Sequence, residues 1–216
     1  MSAPALSLSA DDLAAGRRLF SAPARFRLGV ARLEQLPPLA GVEIAFAGRS
    51  NAGKSSLINA LTGVRDLARA SNTPGRTREL NFFDLGEGRM TLVDMPGYGF
   101  AKAPKADVKK WQALLRAYLR GRPGLARVFV LVDSRHGLMT ADLEMLAMLD
   151  EAAVTYQIAL TKADKVKPAE LVEVHARVSA AIARRPAAYP VVLATSAEKQ
   201  QGLDEMRAVI AGLLAA

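Results

Sequence analysis

Gly48-Arg49-Ser50-Asn51-Ala52-Gly53-Lys54-Ser55 is the segment in which residue type and spacing dictate a chemistry most directly. It fits G-x-x-x-x-G-K-[ST]. The glycines let the backbone wrap around a phosphate with no side chain in the way, and the N–H groups and the start of the next helix then face the anion. Lys54 is expected to reach the β- and γ-phosphates of a nucleoside triphosphate, and the Ser55 hydroxyl to bind Mg²⁺. Both flanks agree. The β-branched run VEIAFA (42–47) precedes the loop as a strand, and KSSLINALTG (54–63) follows as a helix closed by Gly63. A glycine-rich turn arising by chance would require neither flank.

Further residues extend this site along the chain. Asp94, in Val93-Asp94-Met95-Pro96-Gly97, ends an apolar strand, where an acid seeks a partner. That partner is expected to be Mg²⁺, held through a water, with the Gly97 N–H near the γ-phosphate. Gly75, Arg76, Thr77, Arg78 and Glu79 lie in a loop rich in Gly, Pro and charge. Thr77 is the natural second hydroxyl for Mg²⁺, and release of its loop on loss of the γ-phosphate would make a switch. Thr73, in the same loop, reads as a loop or cap residue. Lys54, Thr77 and Gly97 are the expected catalytic contacts. Thr161-Lys162-Ala163-Asp164 closes the run YQIALT. A carboxylate there accepts from guanine N1–H and the exocyclic amine, a donor pair that adenine lacks, and a site built on such bonds discriminates strongly. Lys162 would lay its stem along the base. Backbone N–H groups of Thr195, Ser196 and Ala197 are placed to meet guanine O6.

Positioning these loops takes alternating elements. The sequence predicts strands at 42–47, 80–85, 90–95, 127–133, 156–161 and 189–195. It predicts helices at 54–63, 108–121, 140–152, from Pro168 to about Arg185, and 203–216, with Thr140 or Ser134 capping the third. The segment 86–89 (GEGR) marks a hairpin. The expected fold is α/β, a three-layer P-loop GTPase fold. It would have a mainly parallel sheet with one antiparallel edge strand and helices on both faces. Residues 41–216 form the nucleotide-binding domain in this reading. Residues 1–40 form an N-terminal extension packing on it, with 24–31 as an added edge strand.

Half the residues are hydrophobic and 23% are charged, which suits a packed core. The absence of cysteine excludes disulfides and thiolate metal sites and fits a reducing cytoplasm. No apolar run approaches the ~20 residues a membrane-spanning helix needs, and the first residues do not read as a signal peptide. The net charge of +8 is segregated. Residues 1–127 hold 20 Lys and Arg against 10 Asp and Glu, whereas the remainder holds 9 against 11. Between 101 and 127, Lys102, Lys105, Lys109, Lys110, Arg116, Arg120, Arg122 and Arg127 face the single acid Asp107. Such a patch is expected to meet nucleic acid or a ribonucleoprotein, with binding that weakens steeply with salt.

The strings GRSNAGKSSLIN, TPGRTRELNFF, DMPGYGFA and TKADK, taken in order, resemble the EngB (YihA, YsxC) family of bacterial P-loop GTPases, of the translation-factor-related class. The likeness runs from about Gly41 to the end of the chain. It implies a bacterial GTPase that acts in assembly of the large ribosomal subunit and is required for normal cell division and septation; the chain itself reads as cytoplasmic, with a monomer expected. Thr161, where most G proteins carry Asn, is shared with that family. Two positions bear on hydrolysis. Tyr98 stands where many G proteins place a water-orienting Gln, so slow intrinsic turnover is expected. Asn51 is either a K⁺ ligand beside the phosphates or an ordinary loop spacer. No arginine is identifiable as a built-in finger; Arg76 and Arg78 are candidates, although loop arginines more often meet solvent or RNA. A P-loop metabolic kinase and a non-hydrolysing scaffold are the rival readings; guanine preference argues against the first and GTP turnover against the second.

Overall fold

A computed structural model describes residues 6–38, 41–68, 79–99 and 105–215, the last stretch without the side chains of 105–110. The elements run α1 (Ala10–Leu19), β1 (Arg25–Val30), β2 (Val42–Gly48), α2 (Lys54–Thr62), β3 (Leu80–Leu85), β4 (Met90–Asp94), α3 (Lys105–Gly121), β5 (Leu125–Asp133), α4 (Thr140–Glu151), β6 (Tyr156–Thr161), α5 (Pro168–Ile182), β7 (Leu193–Ala194) and α6 (Leu203–Gly212). One sheet of seven strands has the order β1-β3-β4-β2-β5-β6-β7. From β4 to β7 all neighbours are parallel. β3 runs antiparallel to both β4 and β1, and β1 lies outside it.

β2 explains why the run 42–47 reads as continuously apolar. Ile44 and Phe46 pack on one face with Leu57 and Ile58 of α2, Met206 and Ile210 of α6, and Leu19 of α1. Ala45 and Ala47 pack on the other with Leu115 and Tyr118 of α3, Leu146 of α4 and Val178 of α5. A parallel strand covered on both sides has no polar face to show. Glu43 is the exception, buried at 1% exposure. Arg122 at the end of α3 meets its carboxylate through two nitrogens, and the Tyr118 hydroxyl donates to it at 3.3 Å. The third Arg122 nitrogen donates to the Pro37 carbonyl at 2.7 Å, so this cluster ties β2, α3 and the segment leading into the core.

Helix α1 lay outside the sequence expectations, yet its start carries a signal. Ser9 Oγ accepts from the Asp12 N–H at 3.1 Å, and Asp12 Oδ2 accepts from the Ser9 N–H at 2.8 Å, a capping box. The helix packs on α6, with Gly16 so near that a Cβ there would stand 2.6 Å from Ala208 N.

Several element ends and one helix cap differ from expectation. β7 is only two residues long. Pro190 has no N–H to give to a ladder, and the chain touches β6 before it through the Tyr189 N–H to the Tyr156 carbonyl, at 2.7 Å. α5 stops at Ile182, ahead of Pro186, and Arg185 turns aside to Asp150 at 2.7 Å. α6 ends at Gly212. Neither Thr140 nor Ser134 caps α4. Met139 is the N-cap, its N–H donating to Asp142 Oδ2 at 2.9 Å, while the Ser134 hydroxyl donates to the Thr161 carbonyl. No helix among the described residues is long and apolar enough to cross a membrane.

Candidate functional site

The parallel strands bring their carboxyl ends to one edge of the sheet, where ligands of such folds bind. Loop 49–53 leaves β2 there and turns into α2, with Asn51 at φ 65° and Gly53 at φ 89°. The backbone N–H groups of Asn51, Gly53 and Lys54 donate to no described residue, so this nest of amides is available to an anion.

The end of β4 lies against this loop. The Ser50 N–H donates to the Tyr98 carbonyl at 3.2 Å, and the Tyr98 N–H to the Gly48 carbonyl at 3.3 Å. The crossing at Gly97 is tight, since a Cβ on it would stand 3.1 Å from Ser50 Oγ and 3.3 Å from Ser50 N. The Lys54 ammonium contacts the Asp94 carboxylate, and both side chains are largely buried. Burial pushes the Asp94 carboxyl up; the Lys54 charge and hydrogen bond pull it back. Met95 is fully buried in the core, so its side chain packs there.

The loop after β6 is fastened to the phosphate loop at two points. Thr161 Oγ1 donates to the Ala52 carbonyl at 2.5 Å, and Lys162 Nζ to the Asn51 carbonyl at 2.7 Å. A Cβ on Gly53 would stand 3.6 Å from Lys162 Cε. Thr161 thus makes with a hydroxyl the tie that an asparagine amide supplies in most G proteins. A third loop joins them, the Ala163 N–H donating to the Thr195 carbonyl at 3.0 Å.

A cavity of about 330 Å³ opens between these loops, lined among others by Gly53, Leu57, Lys162, Asp164 and Ala197. The Asp164 side chain is 8% exposed. Its Oδ1 accepts from Ser196 Oγ at 2.5 Å. Its Oδ2 has no hydrogen-bond donor, although the Lys165 ammonium lies 3.1 Å away as an ion pair. The Ser196 hydroxyl first, then Lys165, holds this carboxyl below the ordinary range against the effect of burial. Of the three N–H groups expected to face guanine O6, that of Thr195 goes to the Leu160 carbonyl and that of Ser196 to the Gln201 carbonyl. The Ala197 N–H is left without a partner among the described residues.

A family model described as 50S ribosome-binding GTPase matches residues 43–162. Proteins named "Probable GTP-binding protein EngB" from Bradyrhizobium diazoefficiens and Ruegeria pomeroyi are 58% and 57% identical. The matches cover 93% and 92% of this chain and 93% and 91% of theirs. The chain belongs to the EngB family of GTP-binding proteins, a GTPase family. A crystal structure of a probable GTP-binding protein engB shares the fold at TM-score 0.65 and 24% identity, covering 81% of this chain and 99% of that one.

Within this EngB fold the expected residues divide. Residues 48–55, Asp94, Gly97, 161–164 and 195–197 gather at one sheet edge. Gly75, Arg76, Thr77, Arg78 and Lys102 lie outside the described residues, as do the side chains of Lys105, Lys109 and Lys110. Glu79 is exposed, with its carboxylate against Gly29 of β1 rather than on the cavity. Tyr98 faces away from the phosphate loop's cradle. It is 5% exposed, and its hydroxyl donates to Asp142 Oδ1 of α4 at 2.9 Å, while Arg49 Nε reaches Asp142 Oδ2 at 3.1 Å. Burial, then the Asp142 charge, pushes the Tyr98 phenol well up.

The basic segment is less free than its sequence suggests. Arg116 and Arg120 of α3 pair with Glu151 of α4 at 3.0 and 2.6 Å, Arg122 is buried on Glu43, and Arg127 stacks 4.0 Å above the Tyr189 ring. Counting charge along the chain could not see the acids brought in from other elements.

Two residues of the site carried no motif, Asp133 and Arg135 at the end of β5. Asp133 accepts from Arg135 and from Lys162. Burial works to raise the Asp133 carboxyl, but these hydrogen bonds outweigh it and hold it well below the ordinary carboxylate range. The signal available was an acid ending a buried strand, the same signal that marked Asp94.

Proposed function

We propose that this chain binds GTP with Mg²⁺ and hydrolyses it slowly, as a nucleotide-dependent switch in assembly of the large ribosomal subunit, and is required for normal cell division and septation. The observation that carries the nucleotide reading is Asp164. A largely buried carboxylate, held below the ordinary range and with one oxygen that only the Lys165 ammonium approaches, lines a cavity that reaches Gly53 of the phosphate loop. Guanine N1–H and its amine supply the missing donors, and the Ala197 N–H supplies one for O6. Residues 48–55 cradle the phosphates and Lys54 moves from Asp94 onto them. Gly97 meets the γ-phosphate, and Gly75, Arg76, Thr77 and Arg78 are further nucleotide contacts in this reading.

Ser55, Thr77 and Asp94 fit Mg²⁺, being hard oxygen donors with too few carboxylates to hold the ion without phosphate oxygens. Among the described residues no cluster of three His, Cys, Asp or Glu offers an alternative. The bound ion neutralises charge on the β- and γ-phosphates. Residues 41–216 are the nucleotide-binding domain in this reading, and residues 1–40 dock on it through α1 and β1. The chain works in the cytoplasm as a monomer.

The ribosomal role rests on the family and on the basic residues of α3, with Lys102 before it. Co-sedimentation with large-subunit particles under a non-hydrolysable GTP analogue, GDP and no nucleotide tests it. Binding is expected to be strongest with the analogue and to fall steeply with salt. Equal pelleting in all three states would remove the switch.

Slow turnover follows from Tyr98, whose hydroxyl is committed to Asp142 and so does not orient water. Asn51 then offers its amide oxygen to K⁺ beside the phosphates. Turnover is expected to be about tenfold or more faster in KCl than in NaCl, since one added charge at the transition state is worth at least ~1.4 kcal/mol. Equal rates would return Asn51 to a spacer role.

A further inference from the structure

The Arg135 side chain is 47% exposed, yet it is not free to wander. Its Nε donates to Asp133 Oδ1 at 3.0 Å and its Nη2 to Oδ2 at 2.7 Å, a two-pronged grip that fixes the guanidinium plane. The Arg135 backbone N–H also donates to Oδ1, at 3.0 Å. Asp133 is itself 4% exposed, so the anchor is rigid. The third nitrogen, Nη1, makes no hydrogen bond to any described residue, and the arginine lines the nucleotide cavity.

Its place along the cavity follows from Lys162. That side chain starts in the base loop and ends with Nζ on the Asn51 carbonyl of the phosphate loop. The same Nζ donates to Asp133 Oδ2 at 2.9 Å, the oxygen that Arg135 Nη2 also uses. Arg135 therefore stands beside the phosphate-loop end of Lys162, and the base-reading groups Asp164 and Ala197 belong to the other end. In a guanosine nucleotide the group between base and phosphates is the sugar. Two cations share one carboxylate here, leaving net positive charge on this wall, which suits ribose oxygens as acceptors.

We propose that Arg135 recognises the ribose of the bound nucleotide, with Asp133 as its positioning residue. The proposal rests on the guanine-nucleotide reading of the cavity. Neither residue belongs to a phosphate- or base-reading motif, and the two make the site specific for a ribonucleotide as a whole.

Calorimetry with GDP, and with an acyclic guanine nucleoside diphosphate in which an open chain replaces the sugar ring, tests it. Arg135→Gln is expected to bind GDP about tenfold more weakly, the loss of one charge-assisted hydrogen bond. It should bind the acyclic ligand as wild type does, and Arg135→Lys should recover part of the loss. Asp133→Asn is expected to weaken GDP binding too, and adding Arg135→Gln to it should cost nothing further, because the anchor is already gone. A purely structural Asp133 would leave the two losses additive. Equal loss on both ligands would move Arg135 to the base or phosphates, and no loss on either would remove it from the site; both overturn the proposal. Wild-type protein that binds neither ligand would instead overturn the guanine-nucleotide reading beneath it.

Discussion

Asp164→Asn is expected to weaken GDP binding at least ~100-fold and to turn the protein's preference toward xanthine nucleotides. The carboxylate is 8% exposed, and in the proposed reading two guanine donors fall on it. Losing two charge-assisted bonds of about 1.5–3 kcal/mol each gives roughly 3–6 kcal/mol. The asparagine amide presents N–H where guanine also presents N–H, so the mismatch is repulsive as well as unfilled. Xanthine offers a carbonyl at that place and accepts the bond. Fluorescent GDP and XDP titrations read both effects; unchanged GDP affinity would sink the base-reading role. The same carboxyl sets a pH dependence. Its pKa in the fold lies below the ordinary carboxylate value, chiefly through the Ser196 hydroxyl. The charged acceptor therefore persists as pH falls through that ordinary value, and its contribution is lost only when pH passes below the depressed one. Guanine affinity between about pH 7 and about pH 5 should not fall on account of Asp164. In Ser196→Ala that protection is removed and the acid limb moves up.

The largest stability loss is expected at Glu43. Glu43→Ala leaves the Arg122 guanidinium buried, at 5% side-chain exposure, with the Pro37 carbonyl as its remaining acceptor. Breaking one side of a buried pair costs about 3–5 kcal/mol. For a domain of this size that lowers Tm by roughly 6–20 °C. Arg122→Ala should behave similarly and also free residues 36–38 from the core. Replacing both by Met removes charge and partner together and should cost much less than either single change. Urea unfolding of the four proteins decides it, and a double variant as unstable as the singles would show that the polar contacts, not the stranded charge, dominate.

Much of this fold was legible because parallel strands buried on both faces announce themselves as apolar runs, and because Gly63, Pro168 and the 86–89 turn punctuate the helices and hairpin. Illegible features involve partners distant in sequence. Glu43 inside VEIAFA gives no sign that Arg122 waits 79 residues on. Tyr98 reads as a defective glutamine until Asp142 of α4 explains its orientation. The site was legible where glycines and a lysine fix backbone geometry, as in 48–55, and where an acid ends a strand. Asp133 had that second mark too, but no spacing rule attached it to Arg135. The three N–H groups of 195–197 were equivalent in sequence; only the register of β7 against β6 and the Ser196–Gln201 bridge single out Ala197.

The bonds from Thr161 and Lys162 into the carbonyls of Ala52 and Asn51 make one mechanical body of two loops, which in the proposed reading meet opposite ends of the nucleotide. Whatever steadies one loop has already met part of the entropic cost of steadying the other. A nucleotide therefore gains a chelate advantage over its fragments: guanosine alone or pyrophosphate alone must order the joined pair unaided, whereas the intact molecule orders it once. Fidelity for the base and tenacity for the phosphates are in this way a single property of the chain.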